Sequence, residues 1–256
     1  MAGNRRSRGL SQPEDTAHVL SHLIELRRRL IFSLLAVMAG FVAAFAFYEP
    51  LVDMLRRPFS ALEIDSVLSR RLFVHAVTEG FLVRVRIALV GGVVLALPVI
   101  VYHMLRFVFP GLYRKERRTI AAALSLGTVL AVAAFFYSYV HLLPISLRFL
   151  TGSGFIPEEV GVLLSYRRSI AFVLQVLLMA VVLFQLPVVV LVLLKLNVVT
   201  RRGALKGGRY VIVVLFGVSA ILTPPDVVSQ LGLALPLVVL YYGAVFVAGL
   251  FRLGEG

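Results

Sequence analysis

Residues Ser169–Leu194 read SIAFVLQVLLMAVVLFQLPVVVLVLL, with no Asp, Glu, Lys or Arg. An uncharged apolar run longer than about 18 residues can cross a hydrocarbon core about 30 Å thick as one helix. Five similar runs lie on either side of it: Leu30–Tyr48, Ile87–Leu105, Thr119–Leu147, Tyr210–Pro225 and Val227–Phe251. Composition points the same way, because 60% of the 256 residues are hydrophobic and the mean hydropathy is +0.95. The polar residues of a soluble fold of this size could not cover so much apolar surface. The expected fold is therefore an all-α integral membrane protein with six transmembrane helices. It forms a single polytopic membrane domain over 1–256, with a flexible tail at 1–20 and spans at about 30–48, 87–105, 119–147, 169–194, 210–223 and 227–249.

The last two runs are parted only at Thr223-Pro224-Pro225-Asp226, where two prolines and an Asp end one helix and start a turn. From Tyr210 to Leu222 the fifth run yields about 20 Å of helix, so the fifth and sixth spans are expected to be short, with a thinned bilayer around them.

Orientation follows from the cations. With the N-terminus inside, 17 Lys and Arg fall on the cytoplasmic side: Arg5, Arg6, Arg8 and Arg27–Arg29, then the groups around 106–118 and 195–209, and Arg252. The other side holds nine: Arg56, Arg57, Arg70, Arg71, Arg84, Arg86, Arg148, Arg167 and Arg168. The asymmetry places both termini in the cytoplasm, although the long loop at about 49–86 carries six of the nine. Arg27–Arg29 followed by an apolar run and Ala44-Phe45-Ala46 mimics a secretory signal. The run is too long for that, and a retained first span is expected.

Several functions are excluded. Without Cys there are no disulfides, thiolate metal sites or Cys nucleophiles. The formal charge of +13 is clustered between long uncharged runs, a pattern set by topology rather than by nucleic-acid binding. The five His form no i, i+4 metal pair within a span, and no nucleophile elbow or phosphate-binding loop occurs. An enzyme is not expected, and neither is a cofactor. No internal repeat relates the two halves, which counts against repeat-built carriers.

Two kinds of residue draw a functional reading. Gln175 and Gln185 are polar within a span, a position that is costly unless satisfied by a helix–helix hydrogen bond or used in function. Gln185 stands beside Pro187, which frees a carbonyl one turn earlier. At the cytoplasmic side, Glu25 and Glu116 each sit alone in a basic block. Glu25 can pair with Arg29 one turn on, and Glu116 can favour a helix N-terminus.

Four segments add a resemblance. His22-Leu23-Ile24-Glu25-Leu26-Arg27-Arg28-Arg29-Leu30 resembles the N-terminal signature of the TatC family of twin-arginine protein translocases. The run Phe107 to Arg118, FVFPGLYRKERR, resembles its first cytoplasmic loop. Thr223-Pro224-Pro225-Asp226-Val227-Val228-Ser229-Gln230 with Pro236 resembles its last outer turn, and Thr78-Glu79-Gly80-Phe81 with Pro98 and Tyr102 resembles its second span. The order is right and the segments cover residue 22 to about 242.

The resemblance implies a six-span receptor of cupped, concave shape in a bacterial or archaeal cytoplasmic membrane. Such a receptor binds twin-arginine signal peptides of folded exported proteins and assembles with TatA- and TatB-type subunits and other copies of itself, driven by the protonmotive force. Glu25 and Glu116 would hold the signal's arginines, with Leu26, Arg27, Phe107, Pro110, Tyr113 and Arg117 around them. Gln185, Pro187, Pro224, Asp226 and Gln230 would face partner helices. Carboxylates are the matching bidentate acceptors for guanidinium forks.

Two positions depart from the family. Gln185 stands where an ionisable Glu is usual, and Tyr242 where Glu often follows Leu-Tyr. The runner-up readings are a small-molecule secondary transporter, suggested by the intramembrane Gln and prolines, and a structural scaffold for other membrane subunits.

Overall fold

Pro13 opens the first helix at a position where its missing N–H costs nothing. This helix, α1 (Pro13–Ala46), therefore takes in part of the segment expected as a tail. The structure, a computed structural model, describes residues 13–60, 72–108, 114–151, 163–222 and 227–254. After α1 come α2 (Tyr48–Ser60), α3 (Glu79–Val108), α4 (Arg114–Tyr137), α5 (Leu143–Thr151), α6 (Tyr166–Leu183), α7 (Leu186–Lys195), α8 (Arg201–Leu222) and α9 (Val227–Leu250). A two-residue strand, β1 (Leu72–Phe73), pairs in parallel with β2 (Leu164–Ser165).

Six helical segments are long and apolar enough to cross a membrane, in agreement with the sequence. They are His22–Ala46, Glu79–Val108, Arg118–Thr151, Tyr166–Lys195, Arg201–Ile221 and Val227–Leu250. Most overrun the apolar stretches because a helix continues into water wherever its flanks favour it. The last two spans, of 21 and 24 residues, are the shortest of the six, as expected. Helix α8 has 22 residues and α9 has 24, and the uncharged part of α8 is shorter than the helix itself. The expected turn at 223–226 lies outside the described residues, but α8 and α9 pack against each other as a hairpin.

Two spans are interrupted where proline removes a helix donor. In the third, a π-helical turn at Ser138–Leu142 joins α4 to α5, and the Leu143 amide reaches back to the Ser138 carbonyl just before Pro144. In the fourth, α6 ends at Leu183 and α7 restarts after Gln185 with Pro187 in its first turn. The core lies around α6: Ile170, Val173 and Ala180 are fully buried there, against Leu142, Leu143 and Leu237.

Helix α1 is held differently, against α3. A Cβ at Gly40 would stand 2.6 Å from the Gly92 carbonyl oxygen, and one at Gly92 would stand 2.6 Å from the Phe41 nitrogen. Only paired glycines allow backbones this close, the usual device where lipid supplies no hydrophobic drive. At the far end of this pair the Arg84 guanidinium lies 4.4 Å from the Phe45 ring centroid and 4.9 Å from that of Tyr48.

Candidate functional site

The close crossing of α1 and α3 brings the N-terminal part of one alongside the C-terminal part of the other. On α1 the residues His22, Glu25, Arg29 and Phe32 recur at helical spacing and so share a face. On α3 His103, Arg106 and Phe107 do the same. The His22 and Phe107 rings stack at 4.3 Å, and those of Phe32 and His103 at 5.6 Å and nearly parallel. Beside the Phe32–His103 stack lies a recess of about 260 Å³, lined by Glu25, Arg28, Arg29, Phe32, His103 and Arg106.

Among the described residues, Glu25 is the only acid lining the recess. Its side chain is 35% exposed and forms an ion pair with Arg29, whose side chain is 15% exposed. Both Arg29 contacts, one of them an Nε–H bond of 3.1 Å, go to Oε1. The local i, i+4 pairing open in the sequence is therefore formed. Arg28 leans over Phe32 at 5.8 Å, and Arg106 donates to the Tyr102 hydroxyl at 3.1 Å. Chemically the recess is a guanidinium-accepting carboxylate edge set between aromatic plates in a cationic rim.

Of the residues expected here, Glu25, Leu26, Arg27 and Phe107 lie at or beside the recess, with Leu26 and Arg27 exposed. Pro110 and Tyr113 lie outside the described residues. Glu116 and Arg117 fall in the first turn of α4, and their side chains lie outside what is described. Sequence reasoning passed over His22, Phe32, His103 and Arg106. The i, i+3, i+4 spacing of His103, Arg106 and Phe107 was the available signal, since it puts a His, an Arg and a Phe on one helical face.

The residues expected to face partner helices have their amides engaged within the chain. Gln185 donates from Nε2 to the Gly127 carbonyl on α4 at 3.1 Å and to the Val181 carbonyl at 3.4 Å. The Val181 carbonyl is available because the Gln185 amide bonds Val182 instead, at the break before Pro187. Gln185 Oε1 is buried without a hydrogen-bond partner. Gln230 donates to the Phe216 carbonyl at 3.1 Å, tying α9 to α8. Pro187 is buried, and Pro224 and Asp226 lie outside the described residues. Tyr242, the second departure, rests its ring against Gly208, where any side chain would collide with it.

Fold and recess together define a polytopic α-helical membrane protein of six spans, with a mixed-charge recess where the first two spans meet the surface. The family described as Sec-independent protein translocase protein (TatC) matches residues 21–236. The chain is 33% identical over 231 residues to the protein of that name from Carboxydothermus hydrogenoformans, covering 90% of this chain and 92% of that one. It is 34% identical over 229 residues to the one from Aquifex aeolicus, covering 90% and 93%. A crystal structure of the twin arginine translocase receptor TatC in DDM superimposes with a TM-score of 0.78 at 33% identity, covering 88% of this chain and 98% of that one. The chain belongs to the TatC family, whose members are protein-translocase components and not enzymes.

Proposed function

We propose that this chain is the receptor core of a twin-arginine translocase and binds the arginine pair of a signal peptide at the α1–α3 recess. The observation that carries the reading is the Glu25 carboxylate, placed at the mouth of that recess and already accepting a guanidinium from Arg29. An incoming arginine finds the same acceptor on the side away from Arg29, with the His22–Phe107 and Phe32–His103 stacks as apolar walls for its neighbours. Glu116, on the first turn of the next span, is the second acceptor. The surrounding cations repel non-specific basic segments, so selectivity comes from local complementarity against an unfavourable field.

On this reading both termini face the cytoplasm, and the membrane is a bacterial or archaeal cytoplasmic one. Partner helices of the TatA and TatB type, and further copies of the chain, dock on membrane-facing surfaces. An apolar groove of about 480 Å³ between Tyr137, Phe184, Leu231, Leu235 and Val239 supports that docking. Gln185 and Gln230 brace helices around it rather than reach outward.

A twin-arginine peptide carrying a photoreactive group should crosslink to His22 and Phe107 and to the 109–118 segment. Cysteines placed at Ser11 and Gly254 should react only with membrane-permeant reagents in intact cells. Crosslinks confined to other faces, or labelling of either cysteine by an impermeant reagent, would refute the receptor reading and the topology respectively.

A further inference from the structure

We propose that the cavity between the far ends of α3 and α6 binds a phosphate-bearing anion, which membrane lipid headgroups present there. This does not rest on the translocase reading. The cavity measures about 610 Å³, within the range of about 300–1,000 Å³ typical of small-molecule sites. Arg86, Arg167 and Arg168 line it together with His75 and a single carboxylate, Glu79. That carboxylate does not neutralise them. Glu79 is 8% exposed and accepts the His75 backbone amide at 3.1 Å, and among the described residues it forms no ion pair with these arginines. Among the described residues, three guanidinium groups thus line the cavity against one carboxylate, an excess of positive charge.

Their height in the membrane selects the ligand. Arg86 immediately precedes the uncharged run Ile87–Leu105, and Arg168 immediately precedes Ser169–Leu194. Both stand at the edge of the hydrocarbon, where lipid phosphates lie. Pairing of β1 with β2 and packing of α3 on α6 fix the walls, so the site is preformed. Chemistry agrees, because all nine cations expected on this side are Arg, while Lys115, Lys195 and Lys206 are all expected on the other. Arg supplies the planar fork that matches phosphate oxygens bidentately.

The test uses the full chain in detergent, titrated with phosphatidylglycerol, phosphatidylcholine or inorganic phosphate, with retained lipid counted by native mass spectrometry. One phosphatidylglycerol should be held saturably and phosphatidylcholine far less. Affinity should fall about tenfold for each guanidinium removed in R86Q, R167Q and R168Q. Ala171→Phe fills the cavity without touching its charge and should expel the lipid, whereas R56Q with R148Q should leave retention unchanged. If the triple Gln variant fails to fold, the triple Arg→Lys variant keeps the charge and should still lose affinity. Full competition by inorganic phosphate would keep the phosphate site and make free anion its source. Equal retention by wild type, the triple variant and Ala171→Phe, or no preference for phosphatidylglycerol over phosphatidylcholine, would overturn the proposal.

Discussion

Glu25 and Glu79 each stand among arginines, at opposite ends of the α1–α3 pair, and they are held in different ways. Glu25 keeps about a third of its side chain in solvent and takes a guanidinium from its own helix. Glu79 is buried and satisfied by a backbone amide, although three arginines line the same cavity. An exposed ion pair is worth little and exchanges readily. A buried carboxylate on a backbone N–H is fixed, and removing it leaves a donor unpaired. Proximity to arginine therefore does not define a recognition carboxylate. Exposure and an exchangeable partner do.

The largest effect expected is on the scaffold that sets one site and not the other. Gly92→Leu puts a side chain where even a Cβ meets Phe41 and the Val37 carbonyl. Overpacking of this kind costs up to about 3 kcal/mol, and here it forces α1 away from α3. A disulfide crosslink between cysteines at His22 and Phe107 should disappear, and signal-peptide binding with it. Lipid retention at the Arg86 cavity, which α1 does not line, should persist. Signal binding at wild-type strength in this variant would show that the glycine crossing does not position Glu25.

Glu25 itself should come next. Glu25→Ala loses a charge-assisted acceptor, a change of about 1.5–3 kcal/mol or roughly ten- to a hundredfold in affinity. Glu25→Gln should also fail, since it keeps the volume but loses the charge. Lysines in place of the peptide's arginines should weaken binding to wild type. In the variant lacking both Glu25 and Glu116 that penalty should largely vanish, as a coupled pair requires. Calorimetry of the four combinations measures this directly. A penalty that persists in full would mean that the arginines are read elsewhere.

Glu79 should behave in the opposite way. Glu79→Ala leaves the His75 amide without its acceptor and should cost about 1–2 kcal/mol of thermal stability, with signal binding unchanged. Glu79→Gln retains an acceptor oxygen and should cost less than Ala. A loss of signal binding on Glu79→Ala at unchanged melting temperature would erase the distinction between the two carboxylates.

Much of this was legible in the sequence because membrane spans are written in long uncharged runs. Ser169–Leu194 alone fixed the class, and Pro187 foreshadowed the interruption of the fourth span, whereas the break before Pro144 in the third was passed over. The length of α8 was not legible, since Arg201–Arg209 continue the helix without being apolar and helical hydrogen bonding does not stop at the bilayer edge. The recess was half legible. Glu25 stood out as one acid among three arginines, but part of its surround, His103 and Arg106, comes from α3, some 80 residues on, and the Gly40–Gly92 approach that brings the two helices together is not written in any local pattern. The far cavity was hidden for a similar reason. Its arginines counted as noise in the charge asymmetry until the β1–β2 pairing brought their loops together.

The smallest effect expected is at Gln185, where sequence position and structure suggest different roles. A polar residue in mid-span invites a partner helix, yet its amide already joins α6 to α4 through Gly127 and covers the Val181 carbonyl at the break. Gln185→Leu should therefore act on the fold, removing one interhelical hydrogen bond worth about 1 kcal/mol. Melting temperature should fall modestly, and co-purification of single-span partners should fall only in proportion. Gln185→Glu keeps the size and the polar head, and should cost less than Leu, because its protonated carboxyl can donate a hydrogen bond to the Gly127 carbonyl. Gly127→Ala reports on the same contact from the other side, because its added Cβ would stand 2.9 Å from Gln185 Oε1. It should perturb wild type more than it perturbs the Gln185→Leu variant, which lacks that oxygen. Loss of partners in Gln185→Leu at an unchanged melting temperature would reverse the assignment, placing Gln185 on an exchangeable surface as Glu25 is, rather than inside the fold as Glu79 is.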